Sequence, residues 1–254
     1  MKLFALALAL AAAGVAQLPD IYTEEAHGDP PFLWQKGWRP LLNGRNLDGW
    51  HTIGSGPHEW ATARAVTWKR IFDPKRLTFS PAPGDRIVNG KEGRTLYLAT
   101  DEAFGDCELY LEYMLAQGSN SGVFLNGQYE VQLFDSFGYT GHLQPGDNGG
   151  IYRLENNTRG WPPLTNASRA PGQWQSLQVW FRAPRFEAGK KVANAQFLRV
   201  LLNEVLVQED VEVPLPTGHH GNPQEVPAGP LVFQGDHGPV AFRNIYIRPL
   251  PPLQ

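Results

Sequence analysis

Gly122-Val123-Phe124-Leu125-Asn126-Gly127-Gln128-Tyr129-Glu130-Val131-Gln132-Leu133-Phe134-Asp135 reads as two short strands joined at Asn126-Gly127. An Asn-Gly pair readily takes the positive φ angles of a tight hairpin turn, so this is the strongest short-range hairpin signal in the chain. In the second strand Val131 and Leu133 point one way, while Glu130 and Gln132 point the other, because side chains alternate across a strand. Asp135 lies five residues beyond Glu130, an odd offset that normally faces away. A β-bulge between them would return it to the Glu130 side. The expected arrangement is an apolar face against a core, with a carboxylate, an amide and a second carboxylate aimed together into a groove.

The same alternation recurs on both sides of the hairpin. In Cys107–Leu115, Cys107, Leu109, Leu111, Tyr113 and Leu115 share one face, and Glu108, Tyr110, Glu112 and Met114 share the other. Further strands are expected over 95–100, 174–182, 197–202, 204–211, 231–234 and 240–248, with turns at Asn203 and at Gly235-Asp236-His237-Gly238. Residues 54–95 read as weak strands broken by Pro81-Ala82-Pro83-Gly84 and Asn89-Gly90. A glycine-rich loop is expected over 137–150, and irregular chain over 155–173. No stretch of ten or more residues carries a convincing amphipathic helical pattern. Many short strands between turn residues predict an all-β sandwich or barrel. Long strands that curve around one concave polar face favour a jelly-roll β-sandwich.

Composition narrows the class. Hydrophobic residues make up 42% of the 254, enough for a substantial core. A net charge of −3 gives no polyanion-binding signal, so no nucleic acid partner is expected. The chain opens with Met1-Lys2, an apolar run over 3–13 and the small residues Gly14-Val15-Ala16, the pattern of a secretory signal peptide over 1–16. The run is short for a membrane span, and no cysteine stands directly after it to carry a lipid. Cys107 is the single cysteine, so no internal disulfide can form. Export without disulfides fits a bacterial periplasm or exterior, with no integral membrane segment once the leader is removed. The expected layout is a leader over 1–16, an extended arm over 17–37 and one jelly-roll domain over 38–250.

Six stretches, taken in order, carry a family resemblance. They are Leu42-Asn43-Gly44-Arg45-Asn46-Leu47-Asp48-Gly49-Trp50; Gly118-Ser119-Asn120-Ser121-Gly122-Val123; Tyr129-Glu130-Val131-Gln132 with Asp135; Gly149-Gly150-Ile151-Tyr152; Pro171-Gly172-Gln173-Trp174; and Gln234-Gly235-Asp236-His237-Gly238-Pro239-Val240-Ala241-Phe242-Arg243-Asn244-Ile245. The chain resembles the 3-keto-disaccharide hydrolase domain family. The resemblance implies a concanavalin A-like jelly roll, exported by bacteria, that acts on glycosides oxidised at C3. It also implies a sugar oxidoreductase as pathway partner and a carbohydrate as substrate. The Glu130, Gln132, Asp135 spacing is similar to that of laminarinase-type glucanases, which carry three acidic residues at those offsets. The amide at Gln132 and the shorter Asp135 argue against a double displacement, which needs two carboxylates about 5 Å apart.

A ketone at C3 acidifies the C2 hydrogen. Removing that proton gives an enolate that can expel the C1 oxygen, and water can then add to the unsaturated sugar. Direct attack by a water with a general acid is the alternative. The first route needs a base near C2, a charge stabiliser near the C3 oxygen and a proton donor at the leaving group. Glu130 and Asp135 are the acid/base candidates, with His237 as a proton shuttle, enolate stabiliser or metal ligand. Gln132, Asn120, Tyr152 and Gln234 are candidate sugar contacts, Arg243 a source of fixed positive charge, and Glu112 a lining residue. Cofactor need is open: Glu130, Asp135 and His237 together would suit a divalent metal, but no tight ligand motif is present. Ser119-Asn120-Ser121-Gly122 lacks the strand-to-helix turn of a nucleophile elbow. The alternative function is a non-catalytic, lectin-like carbohydrate-binding module; a structural adhesion domain is a third reading.

Overall fold

The structure is a computed structural model and describes residues 35–220 and 224–251. The leader expected over 1–16, and all but the last three residues of the arm expected over 17–37, lie outside the described residues. Sixteen strands and no helix are found among the described residues. In chain order they are β1 (Arg39–Pro40), β2 (Trp50–Ile53), β3 (Ala61–Lys69), β4 (Asp73–Pro81), β5 (Arg86–Val88), β6 (Tyr97–Phe104), β7 (Cys107–Leu115) and β8 (Asn120–Leu125). There follow β9 (Tyr129–Phe134), β10 (Gln175–Arg182), β11 (Arg185–Glu187), β12 (Lys190–Ala193), β13 (Ala195–Leu202), β14 (Val205–Val213), β15 (Gly229–Phe233) and β16 (Val240–Pro249).

Nine strands form a large antiparallel sheet in the order β14-β13-β10-β7-β16-β5-β3-β4, with β1 added beside β16. Five form a smaller one, β2-β6-β15-β8-β9, and β11 with β12 makes a separate hairpin. The two main sheets stack as a jelly-roll sandwich. Leu109, Leu111 and Tyr113 of the large sheet and Val123, Val131 and Leu133 of the small one are fully buried between them. Phe233 of β15 stacks on Phe242 of β16, ring centroids 4.1 Å apart, and ties the layers together.

The Asn126-Gly127 turn forms as read, with φ of 59° and 65°. Both angles lie in the left-handed region that a two-residue hairpin of this twist requires. Residues 54–95 are more regular than expected, since β3 and β4 are nine residues each. They are stabilised from a distance: Ala63, Val66, Trp68 and Leu77 bury against Met114, Trp174 and Ala241 on the outer face of the large sheet. Cys107 is buried on the core side, and burial pushes its thiol up to about 12, so it is an inert packing residue.

Candidate active site

The face of the small sheet turned away from the core is built in rows. Strand register places Ile53, Tyr97, Gln234, Gly122 and Gln132 side by side in one row. The neighbouring row contains Ala99, Val232, Phe124 and Glu130. Beyond the edge strand β9, residues 149–152 run alongside it. Gln132 N donates to Gly150 O (2.8 Å) and Tyr152 N to Glu130 O (3.2 Å). Tyr152 therefore joins the Glu130 row, and its side chain is exposed.

Glu130 is 4% exposed and leans across Gly122, where a Cβ would lie 2.1 Å from its Oε1. That space exists because position 122 lacks a side chain. The backbone N–H of Glu130 donates to Thr217 Oγ1 (2.8 Å), which fixes the strand edge. Oε1 is buried and finds no hydrogen-bond partner among the described residues. Burial, reinforced by the charge of Asp236, pushes the Glu130 carboxyl up to about 8. A buried acid without a counter-charge keeps its proton, because ionising it in a low dielectric costs more than neutralising it.

Around this acid, Gln132 Nε2 donates to Asn120 Oδ1 (2.7 Å). Gln234 Nε2 donates to the Tyr97 hydroxyl (2.9 Å), leaving Gln234 Oε1 buried and unpartnered among the described residues. Burial pushes the Tyr97 hydroxyl up, with the charges of Asp236 and Glu130 acting in the same direction, so it stays protonated. The His220 ring lies 4.5 Å, centroid to centroid, from both Tyr97 and Phe124. Burial lowers its pKa, so it is a neutral, partly apolar wall. At the rim, His237 Nδ1 sits 2.6 Å from Asp236 Oδ1, and both side chains are about half exposed. Arg94 Nη1 donates to Asp236 O (2.9 Å) and pins this turn.

The array therefore combines a proton-holding acid, two unpartnered acceptors, an aromatic wall and an oriented imidazole. Acceptors without donors are suited to hydroxyl-bearing ligands, which would satisfy them.

Several expected site residues lie elsewhere. The β8–β9 register runs without a shift from Asn120↔Phe134 to Leu125↔Tyr129, so the bulge expected between Glu130 and Asp135 is absent. Asp135 falls just past β9, where its Oδ2 accepts from Gly118 N (2.8 Å) and caps the turn between β7 and β8. Glu112 and Arg243 face each other on β7 and β16 and do not belong to the Glu130 face. They occupy the outer face of the large sheet, with the whole core between them and Glu130. Arg243 Nε donates to Glu112 Oε2 (2.6 Å), and its guanidinium covers the Trp174 ring at 4.2 Å. Tyr110 and Asn244 complete the shell of Glu112 (3.0 and 3.1 Å), making the pair a structural one. No group of three or more His, Cys, Asp or Glu suited to a metal is found among the described residues, so the Glu130, Asp135, His237 metal set is not assembled.

Tyr97, Phe124, His220 and Asp236 join the site although the sequence reading did not select them. Alternation within 95–100 puts Tyr97 on one face with Ala99, and Asp236 immediately precedes His237, so a signal existed for both. For His220 none existed: its place depends on a loop crossing over β8 and held by His220 N to Gly127 O (2.8 Å).

Residues 37–248 match the 3-keto-alpha-glucoside-1,2-lyase-like domain. The crystal structure of a candidate glycosyl hydrolase from Parabacteroides distasonis is similar, with a TM-score of 0.62 and 27% identity over 85% of this chain and 84% of that one. A second from the same organism gives a TM-score of 0.52 at 19% identity, over 85% and 94% of the two chains, and shares the fold. A third gives 0.51 at 19%, over 84% and 99%. No curated protein matches the chain.

Proposed function

The chain belongs to the 3-keto-alpha-glucoside-1,2-lyase-like domain family, and we propose that it is an exported, carbohydrate-active enzyme that cleaves glycosides already oxidised at C3. The observation that carries this reading is the Glu130 carboxyl, buried over Gly122 with an unpartnered oxygen and a pKa pushed up to about 8. An acid/base group is most effective when its pKa lies near the working pH.

In its ionised form Glu130 removes the C2 proton of the bound keto-sugar. The electrons of the C2–H bond pass to the C3 oxygen, and the Tyr97 hydroxyl, already receiving an N–H from Gln234, donates its proton's hydrogen bond to the resulting enolate. The enolate collapses to restore the ketone, forming the C1–C2 double bond and breaking the C1–O bond. His237, held through Nδ1 by Asp236, supplies a proton from Nε2 to the departing oxygen. Addition of water across C1–C2 then gives net hydrolysis. The ring of the sugar rests against Tyr152 and the aromatic wall, while Asn120, Gln132 and Gln234 receive its hydroxyls. A sugar oxidoreductase in the same bacterial compartment, periplasmic or external, supplies the ketone.

Incubation in D2O with a 3-keto-α-glucoside and with its unoxidised parent, followed by NMR, tests the proposal. Cleavage of the keto-sugar alone, with deuterium incorporated at C2, is expected. A folded protein inert toward both would leave a lectin-like binder. Cleavage with protium retained at C2 would remove the base role from Glu130 and favour direct attack of water at C1.

A further inference from the structure

The β3–β4 hairpin ends in a short exposed tip. Lys69 pairs with Asp73, and Arg70-Ile71-Phe72 forms the turn between them. Ile71 is 84% exposed and Phe72 88%, the two highest values among the large apolar side chains described. The tip is held firmly from behind. Trp68 is buried at its base, donates from Nε1 to Pro74 O (2.7 Å), and packs so closely on Gly172 that a Cβ there would lie 2.6 Å from the ring. Gln117 N also donates to Pro74 O (2.8 Å). Two large apolar groups are thus presented on a fixed, convex point.

Charge around the tip opposes that of the rest of the chain. Residues 69–76 carry four basic side chains, Lys69, Arg70, Lys75 and Arg76, and one acidic one, Asp73, whereas the whole chain is at −3. All four basic residues are exposed, but Arg76 is engaged by Glu92 (2.6 Å) and Asp73 (3.5 Å), so Lys69 and Lys75 carry the collar. Exposed apolar side chains scattered singly need no explanation, but an adjacent pair inside a basic collar is the pattern of an interfacial anchor.

We propose that this hairpin tip docks the protein on an anionic lipid surface, with Ile71 and Phe72 entering the headgroup region and the basic collar resting on the phosphates. A fluid bilayer fits the shape better than a protein partner does. Two side chains on a convex point fall far short of the roughly 1,200 Å² that a specific protein interface buries, and they need a matching pocket to be covered. Lipid requires no pocket, and an anionic surface attracts the collar. The proposal stands apart from the catalytic reading, because the tip belongs to the large sheet and Glu130 to the small one.

Cosedimentation of the full chain with vesicles of phosphatidylglycerol and phosphatidylethanolamine, and with vesicles of phosphatidylcholine alone, is the test. Wild type is expected to sediment with the anionic vesicles, to lose binding as salt rises, and to bind the neutral ones at least tenfold less. The variant I71S/F72S should lose at least tenfold in partitioning to anionic vesicles, and K69E/K75E should lose it too, with thermal melting unchanged in both. Every form carries the same apolar run at 3–13, so the differences report on the hairpin. Equal partitioning of wild type and I71S/F72S would overturn the proposal. So would a wild type that fails to bind and is instead dimeric by sedimentation velocity, with I71S/F72S monomeric, since the tip would then be a protein interface.

Discussion

Replacing Glu130 by Gln should make the protein more stable at neutral pH while removing the proposed activity. The native carboxyl holds its proton up to about pH 8, whereas the unfolded chain releases it near 4.5. Between those values the native state binds one more proton than the unfolded state, so stability falls as pH rises. The slope is about 1.4 kcal/mol per pH unit, which amounts to roughly 3 kcal/mol between pH 5 and pH 7. Above pH 8 both states are ionised and the loss levels off. Gln has nearly the same shape and cannot ionise, so E130Q lacks this slope. Urea unfolding of both proteins at pH 5, 6, 7 and 8 reads the effect as a gap that widens in favour of the variant with pH. Parallel stability curves would mean instead that Glu130 ionises in the fold as freely as in solution. Turnover of a 3-keto-α-glucoside by E130Q should fall by about 10²-fold or more, the contribution typical of a positioned acid/base group.

Gly122→Ala would place a methyl carbon 2.1 Å from Glu130 Oε1, so the carboxyl must move. A displacement of that order should cost about 10²-fold in kcat with a smaller change in KM, measured by steady-state kinetics. Asp236→Asn removes a charge that raises the Glu130 pKa, so the limb of the kcat/KM profile that reports Glu130 should move to lower pH; an unmoved limb would assign it to another group. Arg243→Met leaves the Glu112 carboxylate buried without its counter-charge and should destabilise by about 3–5 kcal/mol in urea unfolding. Its KM for the keto-sugar should not change, because this pair lies across the core from the site. The buried Cys107 thiol should stay unreactive toward a thiol reagent at pH 8 in native protein and react fully in urea.

Strand alternation accounts for much of what could be read in advance. Glu130 and Gln132 share a face opposite Val131 and Leu133, and the Asn126-Gly127 turn has the backbone angles its residues favour. Both are local properties, set within a few bonds. The misplaced residues depend on partners far away in sequence. Glu112 lies on the polar face of β7, as alternation requires, but that face meets Arg243 rather than a ligand. Asp135 could be aligned with Glu130 only through a bulge, and Gly118 N provided a simpler partner for its carboxylate. His220 was invisible because a loop residue takes its place from whatever the chain crosses.

Local chemistry thus determined the all-β class, the hairpin at 126–127 and the inward and outward side chains of Cys107–Leu115 and Tyr129–Phe134. Tertiary structure alone decided that Tyr97, Gln234, Gly122 and Gln132 form one row, that Glu130 lies over a glycine from a neighbouring strand, and that Asp236 faces it from a turn. Alternation follows from the pleat of a single strand, whereas a carboxyl's proton affinity follows from the water and charge that surround it. In this protein those surroundings are assembled from strands and loops as far apart in the chain as Tyr97 and Gln234, 137 residues.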